Sequence, residues 1–375
     1  MLMTALALLL AGPAPLIETG TAVPADQYGV EVVTSGLDQP WNISFLPSGD
    51  MLVVEKVGRL RVIRDGVLMD APVTGTPEVI VKGQSGFFEA EPHPDFAENN
   101  LLYLTYAVGP DKANTLVLAR AVYTPTDAGG ALSDLEVLFT ADAKRNSGGH
   151  YGGRIAFADD DTLFLTSGEG YAYKEQAQKL DTHFGKILRL TADGEPAPGN
   201  PFISKKGALP EIWSYGHRNP QGIDIAPDGT VYANEHGPRG GDEVNVIEPG
   251  TNYGWPAITY GIDYSGAVIS PYDELPGMAQ PLWYWNPSIA PSSLLYYTGD
   301  DFPDWQGKLL SGALAHTHVR IADPNDPGAE QYEILRERKA RVRDVAQSPD
   351  GRLYVATEDQ DDPKGGEILR IVPKP

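Results

Sequence analysis

The chain has 375 residues, and its 51 acidic against 29 basic side chains give a formal net charge of −22 at neutral pH. A chain this acidic repels phosphate backbones, which argues against nucleic acid as a partner. The lack of cysteine excludes disulfides, thiolate metal ligands and a cysteine nucleophile. With 41 Gly and 32 Pro, turns are frequent, and this favours short strands over long helices.

The N-terminal stretch is apolar. Residues 2–12, LMTALALLLAG, precede Pro13 and a Pro-rich segment of small residues. This length is typical of the hydrophobic region of a signal peptide and is too short to span a bilayer, although no Lys or Arg precedes it. We therefore expect residues 1–25 to be a signal peptide with a processed or flexible N-terminus. The mature protein is expected to be secreted or periplasmic, without a membrane span.

A hairpin pattern recurs along the rest of the chain. Alternating apolar residues flank a tight turn with Gly or acidic residues, which is typical of a β-hairpin. Four clear copies begin at Ile43, Ile155, Ile223 and Val345. Their starts lie 112, 68 and 122 residues apart, so each long gap has room for one more copy. Weaker copies begin at Phe87 and Ile289.

Six such units predict an all-β fold, a six-bladed β-propeller of four-stranded antiparallel blades in one domain over residues 26–375. A third strand-like run follows five of the hairpins, at 58–64, 185–190, 242–247, 318–322 and 366–371. Pairing of residues 29–33, GVEVV, with the last blade would close the ring and remove an exposed sheet edge. The alternative is a pair of β-sandwiches with irregular hairpins, but the nearly uniform spacing favours the propeller.

The propeller geometry brings the unusual residues to one place. The first strand of each blade lines the channel and starts at one face, and the antiparallel second strand returns to that face. Residues just before first strands and just after second strands therefore gather at one channel mouth. Before first strands these are Gln84, His150, Arg218, Asn219, Arg341 and Arg343; after second strands they are Glu55, Glu169, Glu235, His236, Gly237, Pro238 and Glu358. A concave cluster of a base, acids and arginines predicts a functional site.

Two arginines at the mouth suggest the charge of the ligand. Arg341 and Arg343 are two residues apart on an extended segment, so their side chains share a face. In an acidic protein, such a pair facing the channel is suited to clamp an anion. We interpret Glu55 and Glu358 as solvated charges at the rim.

Seven motifs in chain order carry a resemblance to a known family. They are KGQSGFFEAEPHPDF (82–96), HYGGRIAF (150–157), YGHRNPQGIDIAPDG (215–229), NEHGPRGGDEVN (234–245), NYGWP (252–256), IAPSS (289–293) and RVRDV (341–345). Over about residues 30–372 the chain resembles the soluble glucose dehydrogenases and aldose sugar dehydrogenases that depend on pyrroloquinoline quinone (PQQ).

The resemblance implies a PQQ site and calcium. The family's cofactor contacts match Gln84, His150, Arg218, Asn219, His236, Arg341 and Arg343 here. His236 stands where some members have Gln. Gly237 and Pro238 match the backbone carbonyls that ligate the calcium shared with the cofactor, and Glu243 and Tyr253 resemble residues at a second, structural calcium site. A Lys that members use on a cofactor carboxylate is missing near Ala315, where His316 is a candidate substitute.

The resemblance also implies a reaction, the oxidation of an aldose at C1 to an aldonolactone. His150 would act as the general base on the anomeric hydroxyl while the C1 hydride passes to C5 of PQQ. Arg218 would stabilise the negative charge on the reduced quinone. Glu169, where some members carry Asp, would orient the imidazole and favour its charged form.

Two other functions are compatible with a propeller that has a polar mouth. One is a calcium-dependent hydrolase of the lactonase type, and the other is a non-catalytic propeller that binds glycans or a protein. The former does not need the paired arginines or the His217–Arg218–Asn219 triplet, and the latter does not need a base flanked by glycines. We therefore predict a quinoprotein aldose dehydrogenase, a monomer or dimer, with an electron acceptor that the sequence does not identify.

Overall fold

Each predicted hairpin forms the two inner strands of one sheet in the computed structural model, which describes residues 13–374. Six sheets result, and we number them blades 1 to 6 along the chain. The first strand of every blade contacts the first strand of the next, and that of blade 6 contacts that of blade 1. The predicted six-bladed propeller is therefore confirmed.

Every blade has four antiparallel strands, ordered from the channel outwards. They are Pro40–Phe45, Met51–Glu55, Arg59–Arg64 and Val67–Leu68 in blade 1; Phe87–Pro92, Leu101–Val108, Thr115–Thr126 and Gly129–Thr140 in blade 2; Gly152–Phe157, Thr162–Ser167, Lys186–Thr191 and Ile212–Tyr215 in blade 3; Pro220–Ile225, Val231–Glu235, Asp242–Val246 and Trp283–Trp285 in blade 4; Pro291–Tyr296, Leu309–Ala313, His318–Ala322 and Tyr332–Ile334 in blade 5; and Arg341–Gln347, Leu353–Glu358, Gly366–Pro373 and Tyr28–Leu37 in blade 6.

The ring closes through the outermost strand of blade 6, which comes from the N-terminal part of the chain. Tyr28–Leu37 pairs antiparallel with Gly366–Pro373, with Val30 opposite Ile371. The predicted pairing of residues 29–33 with the last blade is confirmed. The closure joins the two ends of the chain and covers a sheet edge that would otherwise be open.

Two short strands upstream of this closure add a fifth strand to blades 4 and 5. Leu16–Ile17 pairs in parallel with Trp283–Trp285, and Thr21–Ala22 pairs in parallel with Tyr332–Ile334. The part of the expected processed or flexible N-terminus from residue 13 to 25 thus lies along two blades, because their outer edges offer unpaired backbone groups. The apolar stretch of the predicted signal peptide lies outside the described residues, so export and processing stay predictions.

Helices are short in the described part of the chain. They comprise one α-helical turn, Phe96–Asn99, and three 3₁₀ turns, Lys174–Gln178, Pro303–Trp305 and Arg336–Arg338. Among residues 13–374, no helix has the length and apolar character needed to cross a membrane.

The hydrophobic core lies between neighbouring blades. Leu52 and Val54 of blade 1 belong to the same cluster as Leu102 and Leu104 of blade 2, and all four side chains are fully buried. Alternation along each strand sends one set of side chains to each neighbour, which is why the hairpin pattern was readable in the sequence. Truncating Leu104 to Ala would cost about 2–5 kcal/mol of stability.

Arg154, in the first strand of blade 3, ties the blades together across the channel. Its guanidinium donates to the carbonyl of Gln221 at 3.0 Å and to that of Trp41 at 3.2 Å. It also pairs with Asp344 of blade 6 at 3.2 Å. Beyond it, the later halves of the six first strands line a cavity of about 550 Å³ at the face opposite the mouth.

Candidate active site

His150 and Glu169 form a buried hydrogen-bonded pair at the mouth of blade 3. His150 precedes the first strand and Glu169 follows the second, so the hairpin brings them together. Nδ1 of His150 lies 2.7 Å from Oε1 of Glu169, and the two side chains are 6% and 1% exposed. When the carboxylate accepts a hydrogen bond from Nδ1–H, the lone pair of Nε2 is free to take a proton.

Burial keeps the imidazole of this pair neutral. The pKa of His150 lies well below its usual value because of burial first, and then because of the positive charges of Arg218 and Arg145. Desolvation and these cations set the resting charge of the imidazole, and the expectation that Glu169 orients it and favours its charged form stays a prediction. Burial also raises the pKa of Glu169 to about 7. A neutral imidazole is the form that acts as a base.

The backbone of His150 is held from both sides. Its φ is +54°, a left-handed conformation that few non-glycine residues adopt. Its N–H donates to Oε1 of Gln84 at 2.7 Å, and its carbonyl accepts from the guanidinium of Arg145 at 2.7 Å. A Cβ on Gly168 would come within 2.4 Å of that carbonyl oxygen, so only glycine fits there. These contacts fix the position of the base.

Gln84 and Tyr171 lie beside the imidazole at the mouth. Gln84 is exposed, and its side-chain oxygen is used on the backbone of His150. Its amide nitrogen is therefore the group available to a ligand. The ring of Tyr171 meets the His150 ring edge-on, with centroids 5.2 Å apart. Gln84 lies at the mouth, where its place before the first strand of blade 2 predicts it, whereas no sequence pattern points to Tyr171.

Arg218 reaches over the loop that follows the second strand of blade 4. One of its guanidinium nitrogens donates to the carbonyl oxygens of Gly237 at 2.6 Å and His236 at 3.1 Å. Its guanidinium carbon lies 5.3 Å from the centre of the Trp255 ring. Nε of Arg218 is buried and has no hydrogen-bond partner among the described residues.

The neighbouring Asn219 joins blades 3 and 4. Its side-chain oxygen accepts from the N–H of Gly152 at 3.2 Å. The carbonyl of Arg218 accepts from the N–H of Glu169 at 2.8 Å. The predicted base, its acid and the Arg–Asn pair are therefore coupled through backbone contacts between adjacent blades.

His236 lies at the centre of the predicted cluster. Its pKa is held well below the usual value by burial first and then by interactions with four neighbours from blades 3, 4 and 6, of which three are arginines: Arg218, His150, Arg343 and Arg341. Such electrostatic effects act over short distances in a protein interior. The structure thus brings five of the predicted site residues to one mouth.

Arg341 and Arg343 share a single carboxylate oxygen. Oε1 of Glu358 accepts from Arg341 at 2.7 Å and from Arg343 at 2.8 Å. The guanidinium of Arg343 also lies 3.8 Å from the centre of the Trp41 ring, in a cation–π contact. Nε of Arg343 is buried and has no partner among the described residues.

The interpretation of Glu55 and Glu358 as solvated rim charges is wrong. The side chain of Glu358 is 12% exposed and that of Glu55 is fully buried. Glu55 accepts from the N–H of Asp38 at 2.6 Å and pairs with Arg59. Each carboxylate is buried because an arginine on its own blade pairs with it, and the hairpin pattern does not reveal such cross-strand pairs.

Gly237 and Pro238, predicted to ligate calcium, lie next to Arg218. The Gly237 carbonyl accepts from Arg218, as described above, and the Pro238 carbonyl accepts from the Ser288 hydroxyl at 3.3 Å. The loop is fixed by Asp242, which accepts from the N–H of Gly237 at 2.8 Å. Both carbonyls retain a second lone pair for a ligand.

Glu243 and Tyr253, predicted at a structural calcium site, line one small cavity of about 10 Å³. Glu235 lines it too, and burial together with the charge of Glu235 raises the pKa of Glu243 well above its usual value. The Tyr253 hydroxyl donates to the carbonyl of Val246 at 2.6 Å, so it is not free to bind a metal. No group of three or more His, Asp or Glu side chains arranged for a metal occurs among residues 13–374.

A buried Ser–His–Glu arrangement supports Arg218. The Ser214 hydroxyl lies 2.8 Å from Nε2 of His217, and Nδ1 of His217 lies 2.9 Å from Oε1 of Glu235. Ser214 and His217 are fully buried, so no substrate reaches this hydroxyl. The second oxygen of Glu235 accepts from the N–H of Arg218 at 2.6 Å. The arrangement positions Arg218 and provides no support for a hydrolase.

A cleft opens towards solvent beside Glu169, the hydrogen-bond partner of His150. It has a volume of about 220 Å³ and lies between the loop that contains Tyr171 and Lys174 and the loop that contains Trp255 and Tyr264. Arg218 and Glu169 form its base. Aromatic and charged walls beside a base suit a small polar substrate.

Comparisons with known proteins agree with this arrangement. Residues 37–370 match the family described as Glucose / Sorbosone dehydrogenase. The chain is 41% identical over 360 residues to the aldose sugar dehydrogenase YliI of Escherichia coli, covering 94% of this chain and 95% of that protein.

Two solved structures are similar in fold. The apo form of the soluble aldose sugar dehydrogenase from Escherichia coli has a TM-score of 0.86 and 39% identity, over 92% of this chain and 99% of that chain. The PQQ-bound form of the aldose sugar dehydrogenase from Streptomyces coelicolor has a TM-score of 0.75 and 28% identity, over 94% and 100%.

The fold, the mouth and these likenesses define an oxidoreductase of the sugar dehydrogenase class. More specifically, the chain belongs to the Glucose / Sorbosone dehydrogenase family. The family and the enzyme class predicted from the seven motifs are confirmed. The roles of individual residues stay predictions.

Proposed function

We propose that this protein oxidises aldose sugars at C1 to aldonolactones, with bound PQQ as the oxidant and calcium beside it. The observation that carries the proposal is that a neutral base, His150, shares one mouth with the cations Arg218, Arg341 and Arg343, all of them close to His236. A base alone fits many enzymes. The adjoining cations add a place for a flat polyanion.

The residues of the mouth fit the cofactor. PQQ is planar and carries three carboxylates, so it needs fixed cationic donors. Nε of Arg218 and Nε of Arg343 are buried without partners among the described residues, and leaving such a donor unsatisfied is costly. Arg341 and Arg343 share only one carboxylate, so the pair keeps a net positive charge. An anionic ligand would accept hydrogen bonds from the unpaired Nε donors and would balance the net positive charge of the arginine pair.

Calcium would be held by the carbonyl oxygens of Gly237 and Pro238, which are hard ligands that this ion prefers. A cation there would share the Gly237 carbonyl with Arg218, which donates to it at 2.6 Å. A second calcium is proposed beside Glu243 in the small cavity that Tyr253 also lines, without the Tyr253 hydroxyl as a ligand. Glu243 and the nearby Glu235 supply carboxylates there, and a cation between them would relieve the repulsion that raises the pKa of Glu243.

The residues of this chain perform the proton chemistry. When bound, PQQ would accept the C1 hydride at its C5 atom, and calcium would polarise the carbonyl there. Nε2 of His150 takes the proton of the anomeric hydroxyl, and Glu169 stabilises the imidazolium through Nδ1–H. Arg218 donates to the oxygen on which negative charge develops. The cleft of about 220 Å³ would hold the sugar.

Reconstitution tests the proposal. Metal-free protein would be loaded with PQQ and Ca²⁺, and reduction of a dye would be followed with glucose and other aldoses. We expect dye reduction that depends on sugar, on PQQ and on Ca²⁺. A sugar alcohol, which has no anomeric hydroxyl, is the matched control and should be inactive. Absence of sugar-dependent reduction would contradict the proposal.

A further inference from the structure

A lysine of blade 1 enters the mouth at the position that supplies site residues in other blades. Lys56 directly follows the second strand, Met51–Glu55, as His236 directly follows the second strand of blade 4. Its carbonyl accepts from the N–H of Phe87 at 2.9 Å. A Cβ on Gly86 would lie 2.7 Å from Cγ of Lys56, so the side chain runs along the segment that follows Gln84.

The ammonium of Lys56 shares an aromatic neighbour with Arg343. Its Nζ is 5.6 Å from the centre of the Trp41 ring, which is the ring that Arg343 contacts at 3.8 Å. Burial lowers the pKa of Lys56, and the charge of Arg343 lowers it further, whereas Glu358 and Asp38 raise it. These effects place Lys56 among the same charged groups as the arginines.

The charges around Lys56 do not balance. Glu358 is shared by Arg341 and Arg343, and Asp38 pairs with Arg59 at 3.0 Å. Within the described part of the chain, no acceptor or carboxylate lies within bonding distance of the Lys56 Nζ. Three cations thus face one shared carboxylate, in a protein with a net charge of −22. An accumulation of positive charge in so acidic a chain indicates an anionic ligand.

We propose that Lys56 is a third cation of the cofactor site, and that its ammonium binds a carboxylate of PQQ beside Arg341 and Arg343. The inference rests on the proposed function. The lysine that family members use on a cofactor carboxylate is missing near Ala315, where His316 is a candidate substitute. Lys56 supplies the positive charge from a different blade.

The simpler alternative is that Lys56 only covers Trp41. Lysine often lays its hydrocarbon stem along an apolar surface and leaves its ammonium in water. Two variants separate these roles. Lys56→Met keeps the stem and removes the charge, and Lys56→Arg keeps the charge. Lys206→Met makes the same change in net charge at an exposed position in the loop between the third and fourth strands of blade 3, so it serves as the control.

The test is equilibrium titration of PQQ into each calcium-loaded apo-protein, at low and at high salt. For Lys56→Met we expect a Kd about tenfold weaker than wild type and a smaller salt dependence, because one screened charge pair is lost. Lys56→Arg should stay within about twofold of wild type, as should Lys206→Met. Thermal unfolding of the apo-proteins checks that the fold is kept.

Two results would overturn the inference alone: wild-type affinity in Lys56→Met, or an equal loss in Lys56→Arg and Lys56→Met, which would indicate packing instead of charge. A wild-type protein that binds no PQQ would overturn the proposed function and this inference with it. The two failures are therefore distinguishable.

Discussion

The two ends of the propeller channel carry opposite charge, although the same six first strands build both. At the mouth, arginines outnumber the carboxylate that they share. The cavity of about 550 Å³ lies on the far side of Arg154, which is the only Lys or Arg among the residues that line it. Four acidic residues line the same cavity: Glu89, Glu91, Asp224 and Asp344. The fold does not distinguish the two ends, whereas their charges do. A polyanionic cofactor suits only the mouth.

Burial has different consequences at the two ends. It raises the pKa of Glu89 to about 8 and that of Asp224 to about 6, which reduces the negative charge of the far cavity at neutral pH. At the mouth it lowers the pKa of His150 and so prepares a base. The same desolvation thus suppresses charge in one region and produces reactivity in the other.

The largest effect is expected at the base. His150→Ala should lower kcat by about 10²–10⁴-fold, because a positioned general base contributes that much. PQQ affinity should stay within a few-fold of wild type, since the cationic donors are untouched. Steady-state kinetics and PQQ titration of the same variant measure the two quantities. Wild-type turnover in His150→Ala would show that His150 is not the general base.

The next largest effect is expected at the pair of arginines, Arg341 and Arg343. Arg343→Met keeps the stem over Trp41 and removes a buried charge, so PQQ affinity should fall by about 10²-fold. Glu358 keeps Arg341 as its partner, so the fold should survive. Arg352→Met is the control, because Arg352 is exposed on the hairpin of the same blade. Equal affinity in both variants would show that the mouth does not bind the cofactor's carboxylates.

A smaller effect is expected in the pH profile. Below about pH 7, Glu169 is protonated and donates to Nδ1 of His150, which places the imidazole proton on Nε2 and blocks the base. We therefore expect kcat/KM to rise with pH up to about 7, by about tenfold per unit below that value. The Glu169→Gln variant cannot titrate at this position, so its kcat/KM should not rise with pH in this range. Its kcat/KM should also be lower than that of wild type. If kcat/KM of Glu169→Gln still rises with pH up to about 7, the titrating group is a residue other than Glu169.

The smallest effect on function is expected in the far cavity. Because the folded-state pKa of Glu89 is about 8 against an ordinary 4.5, the carboxyl destabilises the fold increasingly as pH rises between these values. Glu89→Gln should remove this loss and be more stable than wild type at pH 8, with PQQ affinity within about twofold of wild type. Urea unfolding at about pH 5 and about pH 8 measures the difference, and the exposed Glu78→Gln is the control. A large loss of PQQ affinity would link the two ends of the channel.

The fold was predictable because its information is local and repeated. Each blade carries its own alternation and turn, so the six hairpin copies from Ile43 to Val345 located the six blades. The closing strand located the junction at which the ring closes. The two N-terminal strands, Leu16–Ile17 and Thr21–Ala22, were not predictable. They are two residues long, and they are specified by the outer edges of blades 4 and 5 instead of by their own sequence.

The site was predictable as a set of positions but only partly as chemistry. The position of each residue within its hairpin brought His150, Arg218 and His236 together. Burial could not be read from one sequence, which is why Glu55 and Glu358 were interpreted as solvated charges. Arg145 was missed because its role is exercised through the backbone of His150.

Titration calorimetry of PQQ into calcium-loaded wild-type protein and into Arg343→Met tests the central claim most directly. That claim is that the cationic mouth, beside the neutral His150, is a site for an anionic quinone. The account predicts one PQQ per chain and an affinity that weakens with salt and in the variant. Wild-type protein that binds no PQQ, or binding that the variant and salt leave unchanged, would contradict it.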